Sequence, residues 1–167
     1  MLRPSLAALC AVCSLSAPAQ MSNARLDSLL RVHADTLAGE VGVWQLLIDE
    51  TQMFCITDPV NDRMRVISPV REAEGLTKAE LGTCLAANFH SALDVRYALS
   101  EGVLWVAFIH PLASLTDGQF VDGLAQVRSA VRTYGTTYSS TGLVFPLRET
   151  GVDTAVADSA GRGAERL

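Results

Sequence analysis

The sequence predicts an α+β domain: an antiparallel sheet with helices on one face, in the order α-β-β-β-α-β-β-α. Three observations carry the layered fold. First, Leu76-Thr77-Lys78-Ala79-Glu80-Leu81 and Leu115-Thr116-Asp117-Gly118-Gln119-Phe120 share one pattern, a Thr with Glu or Gln three residues on and a flanking apolar pair. That pattern is a capping box with a hydrophobic staple, so it marks two helix starts. Second, short β-branched and aromatic runs separated by turn residues lie before and between those starts, and they read as strands. Third, Phe120, Leu124, Val127, Val131 and Tyr134 recur at helical spacing, the cleanest amphipathic stripe in the chain. Strands and helices mixed in this way bury their apolar sides as helices layered on an antiparallel sheet.

Each element follows from local pattern. Ser22 or Asn23 caps a first helix that the spacing carries to about Ala38, with Gly39 as its stop. Leu26, Leu30, His33 and Leu37 fall on one face of it. Three strands follow, Val41 to Ile48, Met53 to Thr57 and Met64 to Val70, and their short turns make a meander. Pro69 places the end of the third strand at a sheet edge. Helix two runs from Lys78 to about Leu93 with Leu81, Leu85, Phe89 and Ala92 as its stripe. Val95 to Leu99 and Val103 to His110 form a hairpin around Ser100-Glu101-Gly102. Helix three runs from Asp117 to about Tyr134, and Gly135 follows as the residue that ends it.

The chain of 167 residues suits one domain, with 49% hydrophobic and 19% charged residues. Its formal net charge is −5 and Lys78 is its only lysine, which argues against nucleic acid or an anionic membrane as partner. Residues 1–19 read as a signal peptide: Arg3 is a short positive region, Leu6 to Leu15 is apolar, and Ala17-Pro18-Ala19 suits cleavage. That reading makes the protein periplasmic or secreted, with no membrane insertion after cleavage. A start at Met21 is the alternative, and it gives a cytosolic protein. Residues 20–147 form the domain, with Leu143-Val144-Phe145 as a late apolar patch. Residues 148–167 have no periodicity and are expected to be a disordered tail.

Four cysteines are present, and Cys10 and Cys13 leave with a signal peptide. Cys55 and Cys84 then either pair or serve as small core hydrophobes. A bond between them would close a loop of about 30 residues and contribute roughly 3–4 kcal/mol.

The sequence shows no nucleophile elbow, no phosphate-binding glycine loop and no metal-ligand spacing, so no catalytic, cofactor or metal residue is assigned and an enzyme is not expected. His33 and Asn88 are polar residues at positions where helical spacing expects apolar ones. Each is either a contact at a partner groove or internally bonded. Arg96 lies opposite the Val95, Tyr97 and Leu99 side of its strand, on the open sheet face. Trp44 and Trp105 fall on strands and suit either the core or a binding patch.

Leu85-x-x-Asn88, Val95-Arg96-Tyr97-Ala98-Leu99, Glu101-Gly102-Val103-Leu104-Trp105, Leu112 and Leu115-Thr116 together resemble the YbjN-like family of bacterial proteins, which is similar in fold to the type III secretion chaperones. The resemblance covers about Leu26 to Tyr134. It implies a non-enzymatic role in protein interaction or regulation, with Asn88 and Arg96 as characteristic positions. It also implies a cytosolic dimer, where the leader implies export. The expected function is an exported module that binds a protein or peptide through its sheet face or an edge strand. The alternative is a cytosolic secretion chaperone-like dimer starting at Met21.

Overall fold

A computed structural model describes residues 20–141. The leader, the Leu143-Val144-Phe145 patch and the 148–167 tail lie outside them. Within them the order is α1 (Asn23–His33), β1 (Thr36–Glu40), β2 (Val43–Ile48), β3 (Thr51–Asp58), β4 (Arg63–Glu72), α2 (Lys78–His90), β5 (Val95–Ser100), β6 (Val103–His110) and α3 (Asp117–Arg132). All strands join one antiparallel sheet in the order β1-β2-β3-β4-β6-β5. The α+β class and the antiparallel sheet are as expected. The order gains one strand, because α1 stops at His33 and the residues after it turn into β1. Ala34 takes an extended backbone (ψ 139°) and its N–H closes the helix on the Leu30 carbonyl at 2.9 Å. Leu37 does pack against the core, but as a strand residue beside Leu46. A strand residue facing the core lands on the same side as the next turn of a helix would, and this hid the boundary.

Both capping boxes form. Thr77 accepts from the Glu80 amide and Thr116 from the Gln119 amide, with each N3 side chain returning to its cap. The core lies between the helices and one sheet face, where Trp44, Leu46, Met53, Cys55, Met64, Val66, Val95, Tyr97, Leu104 and Val106 are buried. Helix α3 lies across β4 and β6 and buries Phe120, Leu124, Val127 and Ala130. Gly123 permits that approach, because a Cβ there would stand 2.9 Å from the Phe108 ring.

Three expectations bear on this packing. Pro69 sits in β4, between β3 and β6, at a register shift between Pro69 and Arg71. The β3–β4 ladder ends at the Phe54–Ile67 pair, so the β3 side of β4 is open at Pro69 and the proline marks a local edge, as expected. In α2, Leu85 and Phe89 are 69% and 86% exposed, and Cys84 and Ala87 are buried instead. Small residues face the sheet, and the larger stripe faces outward. Cys55 and Cys84 are both free and buried. β3 and the β5 strand beneath α2 are three strand spacings apart, about 14 Å, whereas a disulfide needs Cα atoms within about 7 Å. Burial pushes the Cys55 thiol up to about 12, as suits a core hydrophobe.

Candidate functional site

The sheet has two edges, and they are finished differently. On β5 the outward-facing backbone of Val95 and Tyr97 is occupied. The Tyr97 N–H donates to Asn88 Oδ1 at 2.7 Å, and Asn88 Nδ2 donates to the Tyr97 carbonyl at 3.1 Å. The Val95 N–H donates to the Ala92 carbonyl at 3.0 Å, and the Arg96 guanidinium donates to the carbonyls of Val95 and Leu93. Asn88 and Arg96, the two positions singled out in the sequence, are therefore spent on closing this edge. Tyr97 anchors the strand from the other side, its hydroxyl donating to the buried Ala130 carbonyl at 2.7 Å. Gln126, a buried residue that helical patterning gave no reason to single out, accepts from the Asp94 N–H at 3.0 Å and ties this turn to α3.

The β1 edge is open. Thr57 N–H donates to the Gly42 carbonyl at 2.9 Å, so even-numbered residues of β2 bond to β3 and odd-numbered ones to β1. By the same alternation the N–H and C=O groups of Leu37 and Gly39 point away from the sheet. Outside the sheet's own ladder they meet no hydrogen-bond partner among the described residues. Beside them runs a groove of about 130 Å³ lined by Asp27, Arg31, Leu37, Gly39, Val41 and Trp44.

Gly39 shapes that groove. It pairs with Trp44 and so faces the helix side, where it contributes no side chain. It has φ +97°, and a Cβ would meet the Val43 carbonyl oxygen at 2.4 Å; only glycine is accommodated. Trp44 forms the floor, its indole N–H donating to Asp27 Oδ1 at 3.0 Å. Arg31 also bonds Asp27, at 2.8 Å. The Arg31 guanidinium first, and the indole second, hold the Asp27 carboxyl below its usual range. The sequence missed this site because it assigned the residues to a helix. Asp35-Thr36, poor helix formers two and three residues after His33, were the available sign of a break.

His33 is exposed at the end of α1 and is not in the core. It lines a separate hollow of about 180 Å³ with Ile48, Val121, Leu124, Ala125 and Arg128. The sheet face away from the helices is apolar along Phe54, Ile67 and Ala107, which are cross-strand neighbours. Trp105 lies half-buried on that same face, whereas Trp44 is core. Among the described residues no group of three or more His, Cys, Asp or Glu is placed to hold a metal ion. No helix among them is long and apolar enough to cross a membrane.

No family model and no curated protein sequence matches the chain. Solved structures do match. A chain of the HopA1–SchA chaperone–effector complex is 17% identical, with TM-score 0.53, covering 70% of this chain and 98% of that one. A chain of the ExsC–ExsE complex is 18% identical, with TM-score 0.53, covering 67% and 92%. The type III secretion chaperone SycH of Yersinia pestis, solved with a fragment of YscM2, is 15% identical, with TM-score 0.48, covering 64% and 97%. The fold is that of the secretion chaperones.

Proposed function

We propose that this chain is a non-enzymatic protein-binding module that takes up an extended segment of a partner by strand addition at β1. The unlike finish of the two sheet edges carries this reading: β5 is closed at Val95 and Tyr97 by Asn88, Ala92 and Arg96, and β1 offers Leu37 and Gly39 beside a groove. Strand addition draws affinity from main-chain hydrogen bonds at such an edge and specificity from neighbouring pockets. The HopA1–SchA structure is a chaperone–effector complex, and its likeness in fold supports a protein partner here. That likeness also favours the cytosolic form, a secretion chaperone-like protein translated from Met21. Residues 1–19 favour export, and N-terminal sequencing of the natural protein separates the two. The exposed Leu85 and Phe89 on α2 support a homodimer. The YbjN-like resemblance belongs to the same reading, with Asn88 and Arg96 as positions that finish the fold.

Capture of partners from native cells by the full chain tests the edge. Leu37→Pro removes one outward N–H, and Leu99→Pro makes the same change on the opposite edge. The expected result is that Leu37→Pro loses the partner and Leu99→Pro keeps it. Equal capture by both variants would overturn strand addition at β1.

A further inference from the structure

We infer that the β1 edge selects an extended segment carrying an aliphatic side chain opposite Gly39 and basic residues opposite Asp35 and Glu40. This rests on the strand-addition reading above and specifies the partner's chemistry. A strand laid on β1 alternates its side chains in step with those of β1. The incoming residue opposite Gly39 is therefore directed to the helix side, toward the groove over Trp44. The groove there, about 130 Å³ between Leu37, Val41 and Trp44, has room for one aliphatic side chain. A carboxylate is disfavoured, because the groove already holds Asp27, whose two partners, Arg31 and the Trp44 indole, are engaged.

Charge sets the ends. β1 is five residues long and is bracketed by Asp35 and Glu40. Neither carboxylate forms an ion pair among the described residues, nor does Glu50 in the adjoining turn. Asp35 accepts from the Asp49 N–H at 2.8 Å, which places that turn beside it. The guanidinium groups that reach this region are already taken, Arg31 by Asp27 and Arg128 by Asp49. His33, at the end of α1, is the remaining titratable base of that end. The edge is thus left with uncompensated negative charge in a chain of net charge −5. Lysine or arginine about five residues apart on a partner strand would meet it at both ends.

The test uses synthetic nine-residue threonine-rich peptides with the full chain carrying Trp105→Phe, which leaves Trp44 as its single tryptophan. Three peptides have lysines five residues apart and leucine, alanine or aspartate next to one of them, as Gly39 lies next to Glu40. A fourth has leucine there and glutamate in place of both lysines. Trp44 fluorescence reports occupancy of the groove. The lysine-flanked leucine peptide is expected to bind about tenfold tighter than each of the others, the discrimination one aliphatic side chain gives in an apolar pocket. Its advantage over the glutamate-flanked peptide should shrink as salt is raised. Equal binding of the three lysine-flanked peptides would overturn the groove's selectivity, and preference for the glutamate-flanked one would overturn the charge assignment. Absence of all binding would overturn the inference as a whole. The edge reading itself stands or falls separately, on whether Leu37→Pro still captures the native partner.

Discussion

A side-chain amide offers one acceptor and one donor, so it can stand in for a single residue of a neighbouring strand. Asn88 does so at Tyr97, meeting both of its outward backbone groups from the flank of α2. Replacing it by alanine leaves an N–H and a C=O without partners at a half-buried position. Asn88→Ala should therefore cost about 1–3 kcal/mol, the penalty of unsatisfied polar groups, read as a lower urea midpoint with the slope unchanged. Faster hydrogen exchange at the Tyr97 amide should accompany it. A variant with wild-type stability and exchange would mean that the amide is free to bind a partner after all. The sequence singled out this asparagine as a polar residue on a face expected to be apolar. It could not name the partner, because that partner is a backbone group nine residues away, brought alongside only when α2 settles against β5.

Helices α2 and α3 both announce themselves through the same Thr-x-x-Glu/Gln start, yet only one of them buries the stripe its spacing suggests. α3 crosses the middle of the sheet, and its period-3.6 pattern is a fair guide to its buried face because sheet lies beneath most of its length. α2 packs mainly on β5 at the margin of the sheet, so burial is decided by what lets it approach. Cys84 and Ala87 go inward, and Leu85 and Phe89 stay out. Periodicity shows that a helix has an apolar side, but not whether that side meets its own domain or something else. The same limit hid β1, since Leu37 fits the helical spacing of α1 and the alternation of a strand equally well. A pair of substitutions separates the two helices. Leu124→Ala truncates a side chain 3% exposed in α3 and should cost about 2–5 kcal/mol. Leu85→Ala on α2 should stay within about 0.5 kcal/mol, as surface changes do. Thermal unfolding of both variants checks this, and comparable losses would show that α2 is packed like α3.

Across the whole molecule, ion pairs and capping bonds link elements far apart in sequence. Arg25 on α1 holds Asp117 at the start of α3, Arg71 on β4 approaches Glu80 of α2 at 3.6 Å, and Asp27 on α1 binds the Trp44 indole of β2. The carboxyls of Asp27, Glu80 and Asp117 are all held below their ordinary values. The causes, largest first, begin with the Arg31 hydrogen bond for Asp27, the Thr77 backbone N–H for Glu80 and the Arg25 hydrogen bond for Asp117. A carboxylate whose folded value lies below its unfolded one contributes stability that is fully present above the unfolded value. That stability is lost as pH falls through the folded value. The ordinary values are 3.8 for Asp and 4.5 for Glu. The thermal midpoint should therefore hold steady from neutral pH down to about 5 and decline below about 4.5. These groups are partly open to solvent, so solvent and salt screen each pair and the individual contributions are small. The decline should consequently be shallower in high salt, where the Arg25–Asp117 and Arg31–Asp27 attractions are damped before protonation removes them. Melting curves across that range at two ionic strengths measure both effects. A midpoint that rises on acidification would mean that relief of the chain's net negative charge outweighs the loss of these links.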